Sequence, residues 1–352
     1  MNIRHKHKAA FHKEYGKPLV IEDVITPIPK DEEVLLKTIS VGICHSDVHI
    51  WKGEASWPLP MIPCHEVIGR VAVKGDRVPE NVRIGETAIF YYAVYTEEDK
   101  YTRRGLTQHA KTMKHYMGGL QEYILIPHYK FLVNADGLKD LPAAAPLGCA
   151  ALSAYGAVKK IRHEVEPDDY VAVIGLGGLG IFALQWIKTF VPQVNIIGID
   201  IREEALNFSS RIVKVDELIN ASKEDPAKAI ENITRGEGVK AVIDFVGSSE
   251  TLSTYIKTLS PLGIYVLVGL AGIRGLTLPS SFTILDLECK IQGNSMGSLP
   301  DLYDVVDFAR RGRLNYIDVV TKRWRFNAEE INTAFKELHE GKVLGRQVIV
   351  FE

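Results

Sequence analysis

The rhythm of hydrophobic positions changes partway along the chain. Over the first third, short apolar runs are broken by glycine and proline, as in Val34–Gly42 (VLLKTISVG) and the run from Val67 to Val73. Such runs predict strands of a sheet or barrel-like domain. From about Asp169 onward, apolar runs at Val171–Ile174, Val194–Ile199, Ala241–Val246 and Tyr265–Val268 alternate with segments of helical pattern. That alternation predicts a parallel sheet with crossover helices, an α/β fold. Near the end, an amphipathic helix is expected at Ala328–Leu338 and a strand at Gln347–Phe351. Tyr170–Ile187 is apolar enough to suggest a membrane span. Its glycines at 175, 177, 178 and 180 favour a buried strand, a tight turn and a buried helix instead.

With 352 residues, two domains are expected. A hydrophobic content of 46% and a net charge of −2 are ordinary for a globular chain, and neither favours nucleic acid or a membrane surface as partner. The first residues carry no apolar core of signal-peptide length, so a cytoplasmic protein is expected. The four cysteines, Cys44, Cys64, Cys149 and Cys289, are too scattered for a disulfide framework and suit metal ligands or core positions. The segment from Tyr95 to Met117 is polar and charged and predicts an exposed loop or lobe. Its His109 and His115, six residues apart, read as solvated surface histidines, as do His5 and His7.

Two motifs carry chemistry. Residues 171–180 read VAVIGLGGLG, followed by IFALQWIK. A β-branched run leading through Gly175, Leu176, Gly177, Gly178, Leu179 and Gly180 into a helix is the dinucleotide fingerprint. Gly175 allows the turn, Gly177 lets backbone approach a pyrophosphate, and Gly180 lets helix and strand pack closely. Asp200, twenty residues beyond Gly180, is placed to accept hydrogen bonds from ribose hydroxyls and to repel a 2′-phosphate, which favours NAD over NADP. Arg202 works in the other direction. The second motif, GICHSDVHIWKGEASWPLPMIPCHEVIG from Gly42, concentrates soft and borderline metal ligands in Cys44 and His65, and Cys149 follows later in PLGCAALSAYGA.

On these motifs the chain resembles the zinc-containing medium-chain dehydrogenases over nearly its whole length. Residues His65 to Gly75 carry that family's His-Glu, two residues, Gly, five residues, Gly pattern, and Gly345-Arg346 resembles its closing motif. The resemblance implies a Rossmann doubly wound sheet plus a mainly β, GroES-like catalytic domain. The expected divisions are 1–150 (catalytic), 151–294 (NAD-binding) and 295–352 (returning to the catalytic domain). It makes Cys44, His65 and Cys149 ligands of one catalytic zinc, the Cys₂His set of alcohol dehydrogenase. Asp47 would hold the other ring nitrogen of His65, and Glu66 would lie close to the metal. Ser46 and His49 would relay the alcohol proton. Ser153, Leu179 and Val268 would line the nicotinamide, and Arg346 would reach the cofactor phosphates. Trp51, Trp57 and Phe90 would line the substrate pocket. Relatives that hold a structural zinc do so on four cysteines in a lobe before Gln121; the 95–117 segment has none, so no structural zinc is expected. The partners implied are a small-molecule alcohol, aldehyde or ketone, with assembly as a dimer or tetramer. A zinc-free reductase of the same fold, acting on quinones or activated alkenes, and a non-catalytic dinucleotide-binding protein remain as alternatives. Cys64 replaces the family's usual glycine. It is expected to be a packing residue, the alternative being a spare ligand or a disulfide partner.

Overall fold

The apolar run at Tyr170–Ile174 forms the first strand of a six-stranded parallel sheet in the computed structural model, which describes residues 3–351. Across the sheet the strands are Glu217–Asn220, Asn195–Asp200, Tyr170–Ile174, Val239–Asp244, Leu259–Leu267 and Lys290–Gly293. In chain order this is 3-2-1-4-5-6, so the winding reverses beside Tyr170–Ile174, where α/β sheets open a crevice for ligands. Val171, Ala172 and Val173 are fully buried, because helices cover both faces of the central strands. The stretch that suggested a membrane span is this strand, a glycine turn and the helix Gly180–Phe190. Among the described residues no helix is long and apolar enough to cross a membrane. This unit runs from Ala150 to Gly297.

The other unit comprises the chain up to Cys149 and from Ser298 onward. Its main sheet has seven strands around Val34–Gly42, which pairs antiparallel with Glu66–Lys74, Tyr123–Ile126 and Arg346–Val350. The helix Ala328–His339 starts at Asn327, whose side chain accepts the Glu330 amide. Helix and final strand each fall within a residue of the sequence expectation.

Two surface expectations need correction. His7 is buried, because alternation along Lys6–Phe11 turns it inward between Thr26 Oγ1 at 3.0 Å and Gln121 Oε1 at 3.1 Å. The charged 95–117 segment is organised rather than open. The Asp99 carboxylate accepts the amides of Tyr101 (2.8 Å), Thr102 (3.0 Å) and Lys111 (2.7 Å). The Thr112 hydroxyl accepts those of Thr96 and Glu97. Thr102, Thr107 and Gln108 are buried, while Arg103, Arg104 and His109 face water.

Candidate active site

Cys44 lies where the strand Val34–Gly42 gives way to the helix His45–Trp51. Three residues on, Asp47 is buried and accepts the Cys44 amide at 2.9 Å through Oδ2. Its Oδ1 accepts the Cys64 amide at 3.1 Å and stands 3.5 Å from His65 Nδ1. One carboxylate thus pins the two backbone segments that carry Cys44 and His65. Cys149 follows the 3₁₀ segment Pro142–Gly148. The ligand atoms of Cys44, His65, Glu66 and Cys149 all lie within 4.8 Å of one another, and all four residues are buried.

The electrostatics match that grouping. A hydrogen bond with Cys149, reinforced by His65 and opposed by burial, holds the Cys44 thiol well below the ordinary value. The same bond and burial push Cys149 up. Burial alone would depress the His65 imidazole, but Asp47 and Cys44 outweigh it and hold it well above the ordinary range. Neither ring nitrogen of His65 makes a hydrogen bond although both are buried. Such orphaned polar atoms cost about 1–3 kcal/mol each unless something satisfies them. One imidazole and two thiolates around a common centre are the donors that zinc prefers, so the residues present fit that ion.

Glu66 is fully buried and takes Arg346 Nη2 on Oε2 at 2.5 Å. Burial pushes its carboxyl up against the pull of Arg346. The carboxylate fits because Gly42 stands opposite in the strand register; a Cβ there would sit 1.9 Å from Glu66 Oε2. Arg346, expected among the cofactor ligands, is thus a buried partner of Glu66, with its Nε unpaired.

The remaining catalytic candidates lie on or near the same helix. Ser46 is half-buried. His49 Nδ1 is 2.6 Å from Glu54 Oε2, a contact the sequence reading did not foresee. Trp51 is half-buried, donates to the Lys17 carbonyl at 2.7 Å and packs edge-on against Phe335. The Trp57 amide donates to the Tyr15 hydroxyl at 3.0 Å. Phe90 is fully buried, with its ring edge-on to that of Tyr116. The aromatic at the ligand cluster is Tyr92, with its ring 4.3 Å from that of His65. The sequence singles out Phe90 of Phe90-Tyr91-Tyr92 and gives no sign of Tyr92. His115 is exposed, as expected of a surface histidine, and its ring centroid lies 5.5 Å from that of Tyr92.

Cys64 adopts φ +69°, the left-handed region that glycine occupies freely. The residues around it are therefore not uniformly extended. Its sulfur is buried and stands outside the ligand cluster. Left-handed backbone costs a side-chain-bearing residue about 1–2 kcal/mol. Cys64→Gly relieves that strain, whereas Cys64→Ala keeps it and loses the sulfur. Both variants are expected to retain their metal, with Cys64→Gly at least as resistant to urea as Cys64→Ala. Metal loss in either would make Cys64 a ligand.

In the parallel-sheet unit, Gly175 turns at φ +83° and donates to the Ile199 carbonyl at 2.8 Å. A Cβ on Gly180 would lie 2.1 Å from the Gly175 carbonyl oxygen, so only glycine fits there. Gly177 faces open space, and no side chain caps the helix that starts at Gly180. Leu176 is buried, and its amide donates to Asp200 Oδ2 at 2.8 Å. Arg202 gives Asp200 Oδ1 its amide at 2.9 Å, with Nε at 3.6 Å. Between these strand ends lies a cavity of about 400 Å³ whose lining includes Gly175, Asp200, Asp225, Glu250 and Tyr255, and no lysine or arginine. Ser153 is buried in the helix Ala150–Ile161, Leu179 precedes the helix Gly180–Phe190, and Val268 follows the strand Leu259–Leu267.

Residues 30–136 match the family model for the alcohol dehydrogenase GroES-like domain, and residues 178–311 that for zinc-binding dehydrogenase. The chain is 37% identical to an NAD-dependent alcohol dehydrogenase of Sulfurisphaera tokodaii, covering 96% of this chain and 98% of that protein. It is 32% identical to a D-arabinose 1-dehydrogenase (NADP(+)) of Saccharolobus solfataricus, covering 98% and 97%. The crystal structure of an alcohol dehydrogenase from Aeropyrum pernix superposes with a TM-score of 0.88 at 30% identity, covering 97% of this chain and 99% of that one.

Proposed function

Because the chain belongs to the zinc-type medium-chain alcohol dehydrogenase family, we propose that its Cys44–His65–Cys149 cluster is where alcohols and aldehydes or ketones are interconverted with NAD. The protein is an oxidoreductase of the NAD-dependent alcohol dehydrogenase type. The observation that carries the assignment of the site is the buried His65 imidazole without hydrogen bonds, set among two thiols within 4.8 Å. When bound there, zinc supplies Lewis-acid polarisation of the substrate oxygen.

The chain's own residues do the rest. Asp47 orients His65 from the Nδ1 side and leaves Nε2 for the metal. Ser46 and His49 carry the alcohol proton away, with Glu54 holding the Nδ1 side of His49 so that Nε2 faces the proton. Glu66 stands within ligand distance of the cluster and its charge is balanced by Arg346. One zinc per chain is the expected content, since the 95–117 lobe has no thiol. For the cofactor, the Gly175–Gly180 turn and the uncapped helix amides suit a pyrophosphate. Asp200, Asp225 and Glu250 make the neighbouring cavity acidic.

That acidity sets the cofactor preference. A 2′-phosphate placed among three carboxylates meets like-charge repulsion of several kcal/mol. NAD is therefore expected to exceed NADP in kcat/KM by about two orders of magnitude. Rates with both cofactors over primary, secondary, cyclic and aromatic alcohols test the reading. Equal or better use of NADP would mean that Arg202 outweighs Asp200. No turnover of any alcohol, with reduction of quinones or activated alkenes intact, would favour the zinc-free reductase.

A further inference from the structure

Tyr92 is the one aromatic at the ligand cluster to which the reaction above gives no task. It is buried, its ring centroid is 4.3 Å from that of His65 and 5.5 Å from that of His115, and its hydroxyl is 3.4 Å from Cys149 Sγ. A metal-bound cysteine sulfur has no proton, so in that contact the phenol is the donor. We propose that Tyr92 is a positioning residue of the metal centre whose hydroxyl donates a hydrogen bond to the Cys149 thiolate and draws electron density from that sulfur. This rests on Cys149 being a metal ligand, as argued above.

Three observations support the role. The hydroxyl stands 3.4 Å from Cys149 Sγ, within hydrogen-bond reach of sulfur, and both residues are buried. The ring packs on His65, so the hydroxyl is aimed by one ligand at another. A phenylalanine would make the same ring contact, so packing alone does not require the hydroxyl, and a buried tyrosine hydroxyl needs a partner. Hydrogen bonds to ligating sulfur tune what a metal can do, and partners outside the ligand set commonly change affinity or activity by about 10–100-fold. A thiolate that donates less leaves the metal a stronger Lewis acid toward whatever fills the remaining position.

Cobalt(II) in place of zinc makes the sulfur visible through its sulfur-to-cobalt charge-transfer absorption. Tyr92→Phe is expected to move that band to lower energy, while the d–d bands keep the intensity of a tetrahedral site. Tyr92→Leu, which also lacks the hydroxyl, should move it the same way. His115→Ala, which removes only the neighbouring ring, should leave it in place. In the zinc protein, kcat for Tyr92→Phe should fall by about 10-fold. A band at the wild-type energy in both Tyr92 variants overturns the proposal. A wild-type protein that takes up cobalt without any charge-transfer band, or a Cys149→Ser variant that keeps the wild-type spectrum, overturns the ligand assignment instead.

Discussion

His65→Ala is expected to lose its zinc and to fall by at least about three orders of magnitude in kcat/KM for alcohol oxidation. The imidazole is the only nitrogen donor in a buried set that also comprises Cys44, Glu66 and Cys149. Lewis-acid stabilisation is worth several kcal/mol, and each 1.36 kcal/mol is tenfold in rate, so about 4 kcal/mol gives the expected loss. The variant should still fold, since Asp47 keeps the Cys44 and Cys64 amides as partners when the ring is gone. Elemental analysis after dialysis should find about one zinc in the parent and little in the variant. A variant that keeps its metal and most of its rate would remove His65 from the centre. Two tightly held zincs in the parent would mean that a second site exists.

The second large effect concerns stability. Glu66 and Arg346 form an ion pair that is almost wholly out of water. Removing one partner from a buried pair strands the other charge, at about 3–5 kcal/mol. Glu66→Ala is therefore expected to unfold at markedly lower urea than the parent. Replacing both residues, as in Glu66→Leu with Arg346→Met, should recover much of that loss, because no charge is then left unpaired. It should not recover activity, which separates the structural share of the pair from its place beside the ligands. Urea midpoints for the single and double variants decide the matter. A Glu66→Ala midpoint equal to the parent's would show that water or another group reaches Arg346.

Much of this was readable from the chain because local rules and tertiary demands agree there. The strand at Tyr170–Ile174 announces itself by an unbroken apolar run, since both of its faces are covered, and Val34–Gly42 by a run that is mostly apolar. Gly175, Gly180 and Asp200 are legible because the turn tolerates no side chain and needs that carboxylate. Other features depend on contacts across long sequence separations. The pairing of Arg346 with Glu66 joins residues 280 positions apart, and no spacing foretells it. Tyr92 was missed because three consecutive aromatics give no sign of which one meets His65, and the choice follows from how the chain leaves the strand Thr87–Phe90. His7 and the 95–117 lobe were misjudged on polarity alone. A histidine between two side-chain partners and a threonine that receives the Leu299 amide are buried by hydrogen bonding, not by hydropathy.

The Asp99 clasp has a practical consequence. The lobe is tied by a carboxylate and a hydroxyl, neither of which a mild oxidant attacks. Its weakness is acid: backbone amides hold the Asp99 carboxyl below its ordinary value, so the tie persists until pH falls through that lowered range. Chelation should therefore silence the Cys44–His65–Cys149 centre while the Asp99 tie stays intact, and added metal should restore the activity.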